Sequence, residues 1–247
     1  MQFIVRSLRA ILPKPPIFTR IACLISFWSD IVGFKKLHGN KNFRFKLKDI
    51  YPMIFDKSSH GIDYVYFYQD SWCAGKVLRA KPKLHVDVGS KAEMLGIISE
   101  IVPVKMVDIR PLEVSLSNLT FIEGDATKLP FTDNELESLS SICVIEHIGL
   151  GRYGDSLDPF GSEKAAAELV RVLAQGGDLY ISVPVDSRNT IYFNAHRAFT
   201  REYVLKIFSP LVLVEEKYIY DRSGIMDKYN PSRGFGTGLF HFTKTSA

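Results

Sequence analysis

The sequence is short of cysteine, of uninterrupted apolar runs and of acids near its N-terminus, and each shortage excludes a class of protein. Its three cysteines are far apart, with no Cys-x-x-Cys pair and no paired histidines, which argues against a disulfide framework and against a zinc site. We therefore expect no metal and a reducing compartment. The 247 residues are 46% hydrophobic and 23% charged, a composition typical of a globular domain with a sizeable core.

The basic charge of the chain lies in its first 48 residues. This segment contains ten Lys and Arg but a single acid, whereas the remainder has a net charge of −5. An apolar stretch at 18–34 is interrupted by Arg20, Ser26, Ser29 and Asp30, so we expect it to be too short and too broken to span a bilayer of ~30 Å. It is either an amphipathic helix lying on a membrane or a helix packed on the domain with a solvated basic face. No secretory cleavage site precedes it, so we expect a cytoplasmic protein, with peripheral membrane contact through the basic N-terminus as an alternative.

Beyond residue 81 the apolar pattern becomes regular and predicts an α/β domain. Short apolar runs rich in β-branched residues predict strands at 84–88, 104–108, 119–123, 139–144 and 178–183. After the first strand, apolar residues recur at helical spacing and predict a helix. A second helix, with Ser162 as its N-cap, is predicted before the strand at 178–183. Strands separated in this way pair in parallel with right-handed crossovers. Two final runs, 211–220 and 234–244, predict a closing antiparallel hairpin on an open, doubly wound sheet.

The chain therefore divides into two predicted segments. Residues 1–80 form a basic, aromatic-rich extension or lid, whose most strand-like or lid-like part is 62–72, and residues 81–247 form the main domain. In open α/β sheets, ligands bind beyond the carboxyl ends of the strands. The residues that follow the predicted strands are accordingly the candidate site: Asp87 to Ser90, Asp108 to Arg110, Gly124 to Ala126, Glu146 to Gly149 and Pro184 to Asn189.

Several of these segments, in this order, carry a resemblance to a known superfamily. "HVDVGS" (85–90), "EGDATKLPF" (123–131), "SICVIEHIG" (141–149) and "RVLAQGGDLYISVP" (171–184) resemble the class I S-adenosylmethionine-dependent methyltransferases, and the likeness covers roughly residues 80–245. It implies a Rossmann-like methyltransferase fold with a mostly parallel seven-stranded sheet and a C-terminal antiparallel hairpin, here preceded by an N-terminal helical extension. It also implies S-adenosyl-L-methionine as the cofactor.

The same resemblance implies a role for the residues at this edge. Asp87 and Gly89 would approach the methionine portion of the cofactor, and Asp108 would accept hydrogen bonds from the ribose hydroxyls. The other implied cofactor-binding residues are Ser90, Ile109, Asp125, Ala126 and Glu146, with Asp125 facing the adenine amine and Ala126 its ring. A carboxylate can accept bonds from two hydroxyls, and a cationic sulfonium favours a domain of net negative charge.

The loop after the first strand departs from the family pattern D-x-G-x-G-x-G. Asp87 and Gly89 are present, but Lys91 and Glu93 stand in place of the two later glycines. Gly89 occupies the strand exit, where the backbone is tightest. A helix that begins early, with Ser90 as its N-cap, leaves its first N–H groups free at the ligand, so we expect the pocket to survive these changes.

A narrower resemblance covers residues 103–113, 146–165 and 189–200. These stretches look like an uncharacterised methyltransferase-like family, catalogued as a domain of unknown function, whose members are often encoded among glycosyltransferases for surface polysaccharides. The likeness implies a role in polysaccharide biosynthesis, and it carries no catalytic residues with it.

Two histidines at this edge are candidates for a general base. His147 and His196 belong to different loops, and an imidazole titrates near neutral pH. Each also has a structural interpretation, His147 as a cofactor or loop contact and His196 as a loop anchor. The candidate substrate-binding residues are Arg152, Tyr153, Asn194 and Arg197, because arginine holds carboxylates and phosphates by paired hydrogen bonds.

Two functions remain open from the sequence. The first is an S-adenosylmethionine-dependent methyltransferase acting on a sugar hydroxyl or a related polar small molecule, including a glycan. The second is a non-catalytic, methyltransferase-like binding or scaffold protein of a glycan-assembly complex. No nucleic-acid partner is expected, because no N-P-P-Y-type motif follows the fourth strand.

Overall fold

The computed structural model describes residues 17–37, 46, 48, 50 and 62–245. The chain forms two compact units, residues 1–62 and residues 63–247. In the smaller unit the described residues contain one helix, α1 (Ile17–Leu37). The larger unit contains the sheet and the other helices.

Helix α1 is longer than the sequence indicated. Its 21 residues include no buried side chain, and it is long and apolar enough to cross a membrane, judged by length and composition alone. The expectation that 18–34 is too short and too broken to span was therefore wrong. Lys35 and Lys36 are good helix formers and extend the helix to its last turn. The isolated polar residues within the helix are too few to bring its mean hydropathy below that of a membrane-spanning segment.

The larger unit alternates helices and strands along the chain. Its elements are α2 (Tyr64–Ala80), β1 (His85–Val88), α3 (Ala92–Ser99), β2 (Val104–Asp108), β3 (Leu119–Glu123), β4 (Leu136–Ile142), α4 (Gly161–Val172), β5 (Leu173–Val185), β6 (Thr190–Tyr192), β7 (His196–Ala198), α5 (Arg201–Ile207), β8 (Val212–Ile219), a 3₁₀ turn (Pro231–Arg233) and β9 (Gly236–Thr243).

Seven of these strands form one sheet in the order β3-β2-β1-β4-β5-β9-β8. The first five are parallel to one another, and β9 runs antiparallel to both β5 and β8. The short strands β6 and β7 form a separate hairpin. This is the Rossmann-like methyltransferase fold, and it confirms the predicted fold class, including the antiparallel C-terminal pair and the N-terminal helix.

Each face of the sheet is covered by its own apolar core. Leu179 and Ile181 on β5 pack with Leu169 of α4 on one face. Tyr180, between them in sequence, packs with Trp72 of α2 and with the buried residues of α3 on the other face. Successive side chains of a strand point to opposite faces, so a strand buried on both faces reads as a continuous apolar run, which is why the sequence revealed these strands.

Residues 62–72 were expected to be strand-like or lid-like, and the strand was wrong. Residues 64–72 belong to α2, where the side chain of Asp63 caps the helix by accepting the Val65 N–H at 3.0 Å. The aromatic residues raised the apparent strand preference, but the buried positions of α2, Gln69, Trp72, Cys73 and Val77, recur at helical spacing. Helix α2 therefore belongs to the larger unit, which begins at residue 63 and not at 81.

Two predicted helix caps were also wrong. Helix α4 begins at Gly161, and the Ser162 hydroxyl donates to the Ile145 carbonyl at 2.6 Å. Helix α3 has Lys91 as its N-cap, while Ser90 bonds to the end of β1 and to β4. In both cases a strand exit competes with the helix for the serine hydroxyl.

Candidate functional site

The turn after β1 is held by a buried carboxylate. Asp87 has no exposed surface and accepts the Ser90 N–H at 2.9 Å, the Ser90 hydroxyl at 2.7 Å and the Ser140 hydroxyl of β4. Ser140 also contacts Nε2 of the buried His85 at 2.9 Å. Burial raises the pKa of Asp87 to about 6, although the serine bonds oppose that shift. Asp87 thus fixes the loop from beneath and does not line the cavity.

Glycine is required at position 89, at the exit of β1, as the sequence predicted. Its φ of +74° suits glycine, and a Cβ there would lie 2.8 Å from a methyl carbon of Val144. The neighbouring Lys91 places its Nζ 3.2 Å from the ring centroid of Tyr66 on α2. A cation over an aromatic face is stabilised in that position, so the lysine that replaces a glycine of the family pattern is held against α2.

A cavity of about 880 Å³ opens at the carboxyl ends of β1, β2 and β4. It has the size of a small-molecule or cofactor site. Eight of the residues predicted from the sequence line it: Gly89, Ser90, Asp108, Ile109, Asp125, Ala126, His147 and Tyr153. Asp87 and Glu146 are buried nearby without lining it, and Asn194 is exposed.

Asp108 lines the cavity at the end of β2, but its carboxylate is already bonded. Arg110 donates its backbone N–H at 2.8 Å and its Nε at 3.1 Å to Oδ1, and its Nη2 at 2.8 Å to Oδ2. A carboxylate offers about four acceptor positions, so one remains on Oδ2 for a ligand hydroxyl. The Arg110 guanidinium also lies 4.5 Å from the ring centroid of Tyr153, on the loop that forms another side of the cavity.

Asp125 and Ala126 follow β3 at the same edge. Asp125 is exposed, and its Oδ1 accepts the backbone N–H of Thr127 at 2.7 Å and its hydroxyl at 2.8 Å. Oδ2 has no contact of this kind among the described residues and remains open to a ligand donor. Ala126 is 7% exposed and adds a small apolar surface to the cavity wall.

His147 is held in one tautomer. Its Nδ1 is 2.7 Å from the Ala195 carbonyl, which can only accept, so Nδ1 carries the proton and Nε2 carries the lone pair of the neutral ring. Arg152 donates to the same carbonyl at 2.8 Å, and the rings of Tyr153 and His196 lie 5.4 and 6.5 Å from that of His147 between centroids. Burial lowers the pKa of His147 to about 4, so the ring is neutral at pH 7.

Glu146 is a buried acid without full hydrogen bonding. Its side chain is 1% exposed, its Oε1 lies 3.7 Å from Nε2 of His147, and its Oε2 has no partner among the described residues. Burial raises the pKa of Glu146 to about 8. Glu146 is therefore protonated at pH 7, which avoids an unpaired buried charge beside the neutral imidazole.

Arg197 has a structural position and not the substrate-binding position that the sequence suggested. It is 6% exposed, and its guanidinium donates to the carbonyls of Ile148 at 2.6 Å, Asp158 at 3.1 Å and Pro159 at 3.4 Å, and to the Ser162 hydroxyl at 3.2 Å. These bonds use the donors that a ligand would need. Arg197 instead secures the loop that leads from His147 to α4.

The sequence did not identify three residues at or beneath this site. Tyr66 and Gln69 come from α2, far before the first strand, and no motif marked them. Arg110, two residues after Asp108, was within a predicted site segment, but no role was assigned to it from the sequence. Cys143 lies in the left-handed region (φ +54°) just after β4, lines the cavity, and donates to Oε1 of Gln69 at 3.1 Å. Burial raises the pKa of its thiol, so it remains protonated.

One family model matches part of this chain. The family model "Caenorhabditis protein of unknown function, DUF268" matches residues 99–211, which include Asp108, His147 and Arg197 but not Gly89. No curated protein matches the sequence.

Solved structures share the fold at low sequence identity. A 1,6-didemethyltoxoflavin-N1-methyltransferase from Burkholderia thailandensis, with bound S-adenosylhomocysteine, is 16% identical, has a TM-score of 0.52, and aligns over 95% of this chain and 93% of its own. The N-methyltransferase NodS from Bradyrhizobium japonicum, also with S-adenosylhomocysteine, is 14% identical, with a TM-score of 0.51 over 72% and 86%. The [4+2]-cyclase SpnF is 15% identical, with a TM-score of 0.53 over 72% and 81%. The fold therefore accommodates more than one reaction.

The structural position of Arg197 can be tested by substitution. Arg197→Lys keeps the charge but loses most of the four contacts, so we expect the free energy of unfolding to fall by about 2–4 kcal/mol. Urea denaturation measures this loss. Arg188→Lys, at an exposed position in the preceding loop, is the control and should change stability by less than about 0.5 kcal/mol. Equal stability of the two variants would contradict the structural position.

The protonation of Glu146 predicts how stability depends on pH. Between pH 6.5 and 8 an unfolded glutamate is ionised, whereas folded Glu146 with a pKa of about 8 still holds its proton. The folded state then binds more protons, so the free energy of unfolding falls as pH rises, by up to about 1.4 kcal/mol per pH unit. The lowered pKa of His147 acts in the opposite sense only below its ordinary value of 6.5.

Urea denaturation at several pH values in this range measures the slope. Glu146→Gln keeps the shape of the neutral acid and should flatten it. Glu113→Gln, at an exposed position, should retain the slope of the unaltered chain. A Glu146→Gln slope equal to that of the unaltered chain would show that Glu146 is ionised when folded.

Proposed function

We propose that this protein is an S-adenosylmethionine-dependent methyltransferase that acts on a hydroxyl of a sugar or a related polar small molecule in polysaccharide biosynthesis. The observation that carries the proposal is the cavity at the carboxyl ends of β1, β2 and β4, in which Gly89, Asp108, Asp125 and His147 meet. Ligands of open α/β sheets bind at this edge. The fold of the sheet is shared with solved methyltransferases.

The charges around the cavity fit a cationic cofactor. Five carboxylates and two basic side chains line it. Both basic side chains are already engaged, Arg110 with Asp108 and Lys91 with the Tyr66 ring. An excess of carboxylates in a partly enclosed cleft attracts a cation and repels phosphates. These residues therefore fit a sulfonium cofactor better than an anionic nucleotide.

Two carboxylates would hold the adenosine portion. Asp108 has one acceptor position left on Oδ2 for a ribose hydroxyl, and Asp125 has a free Oδ2 for the adenine amine. Ala126 and Ile109 supply apolar surface beside them. When bound, S-adenosylmethionine supplies an electrophilic methyl group.

The general base in this proposal is His147. It lines the cavity, its Nδ1 proton is fixed on the Ala195 carbonyl, and its Nε2 is free to accept a proton from an acceptor hydroxyl. The protonated Glu146 beside it leaves that nitrogen without a competing negative charge. His196 does not line the cavity, and its ring packs between those of Tyr192 and Phe235, at 5.3 and 5.5 Å between centroids, so we assign it to positioning.

The edge around His196 supports a sugar as the acceptor. Tyr192, Phe235 and Tyr153 present partly exposed aromatic rings there, and Arg152 is exposed beside them. Flat aromatic surfaces with a few hydrogen-bonding groups are suited to a ligand that has both apolar and polar faces. The narrower sequence resemblance, to a family encoded among glycosyltransferases, supports the same class of substrate.

One observation favours the alternative of a non-catalytic binding or scaffold protein. Arg110 uses three of the acceptor positions of Asp108, and Lys91 and Glu93 stand where the family pattern has glycines. If a cofactor cannot share Asp108 with Arg110, only the architecture of a methyltransferase is left. Cofactor binding therefore separates the two functions.

We expect S-adenosylmethionine and S-adenosylhomocysteine to bind the full chain and raise its melting temperature. Asp108→Ala removes the ribose acceptor, so the dissociation constant should rise about 10- to 100-fold. Calorimetric titration measures both constants. Glu113→Ala, an exposed acid on the loop after Asp108, should leave the affinity within about threefold of the unaltered chain. Absence of binding at millimolar cofactor would leave only the scaffold function.

The rate of product formation distinguishes the role of His147 from that of His196. After incubation with S-adenosylmethionine and a panel of uncharged saccharides, mass spectrometry should detect an acceptor that is heavier by one methylene group. His147→Ala should lower the rate of product formation by about 100-fold or more, with cofactor affinity unchanged, because general-base catalysis contributes on that scale. His196→Ala should lower it by less than about tenfold. The reverse order would make His196 the base.

A further inference from the structure

We propose that α1 spans a lipid bilayer and attaches the larger unit to the cytoplasmic face of the membrane. The helix has no buried residue. Eight of its large apolar side chains are 42–84% exposed: Ile17, Phe18, Ile21, Leu24, Ile25, Trp28, Val32 and Leu37. A soluble protein rarely exposes so large a continuous apolar surface without a partner.

The length of α1 matches the hydrocarbon core of a bilayer. Its 21 predominantly apolar residues rise by about 1.5 Å each and so extend about 31 Å. The hydrocarbon core is about 30 Å thick and is spanned by about 20 predominantly apolar residues. All backbone N–H and C=O groups within a helix are bonded internally, which is the condition for crossing lipid.

The charge pattern favours crossing over lying in the membrane plane. An in-plane amphipathic helix carries Lys and Arg along its polar face. Between Ile21 and Phe34 the only charged residue is Asp30. The other polar or small residues of this stretch, such as Ser26, Ser29 and Gly33, are uncharged. Basic residues are instead concentrated at the ends of the helix, where a spanning helix meets the headgroups.

The distribution of the flanking charge predicts the orientation. The N-terminal side has four basic residues, Arg6, Arg9, Lys14 and Arg20, and the C-terminal side has six, Lys35, Lys36, Lys41, Arg44, Lys46 and Lys48. The flank with more Lys and Arg remains on the cytoplasmic side, where anionic lipids attract it. The larger unit follows this flank and so faces the cytoplasm.

Extraction of membranes from a bacterium that expresses the full chain tests the proposal. We expect the protein in the membrane pellet after washes with high salt and with alkaline carbonate, and in solution only after detergent. Its intact mass should include residues 1–37. Protease should degrade the larger unit in inverted membrane vesicles but not in intact spheroplasts.

Paired substitutions in α1 give a control that does not depend on enzyme activity. Ile25→Arg together with Trp28→Arg places two charges in the middle of the helix, so the ratio of membrane-bound to soluble protein should fall at least tenfold. Leu37→Arg adds a charge at the basic end and should leave that ratio unchanged. The melting temperature of the larger unit should be the same in both variants, because α1 belongs to a separate unit.

Several results would overturn the proposal. Release by salt or carbonate would make α1 a surface contact, and a soluble dimer that the paired substitutions dissociate would make it a contact between chains. Loss of the first residues from the intact mass would make α1 part of a cleaved leader. Protection of the larger unit in inverted vesicles would overturn the orientation.

Discussion

The buried carboxylate of Asp87 is the constraint on which the candidate site depends. An ionised carboxylate without solvent is costly unless hydrogen bonds compensate it, and here the donors come from Ser90 and from Ser140 on the neighbouring strand. The chain must therefore turn back immediately after β1, which brings Gly89 to a positive φ against Val144. This turn is held from beneath by the serines and does not require the two later glycines of the family pattern.

The position of this turn keeps the cavity open. Because Ser90 is bound to Asp87 and to the Ile142 N–H, α3 begins only at Ala92, and the space above the strand exits stays open. The parallel pairing of β2 with β3 places Asp108 opposite Glu123, so Asp125 lies just beyond that register position. The acids that could hold a ligand thus share one edge through sheet register alone.

The sheet could be predicted from the sequence because apolar residues mark each of its parallel strands, and β2 and β3 have the predicted bounds. The same reasoning could not place α2, whose aromatic residues also suit a strand, nor the first residues of α3 and α4, where serines bond to strands. It could not separate Arg197 from the ligand-facing residues either. A buried and an exposed arginine look alike in sequence, and only the carbonyls of Ile148, Asp158 and Pro159 distinguish them.

Lys91 shows why the sequence could not decide whether the cofactor loop is functional. A lysine in place of a loop glycine adds a positive charge to the loop, and on that basis it argues against a cationic cofactor. In the structure the Tyr66 ring of α2 holds the amine. Burial raises the pKa of Asp70 on the same helix to about 6, and the charge of Lys91 opposes that rise. The residues of α2 were assigned from the sequence to the N-terminal extension, but α2 belongs to the same unit as the site. Its Tyr66 ring therefore holds the lysine that replaces the loop glycine.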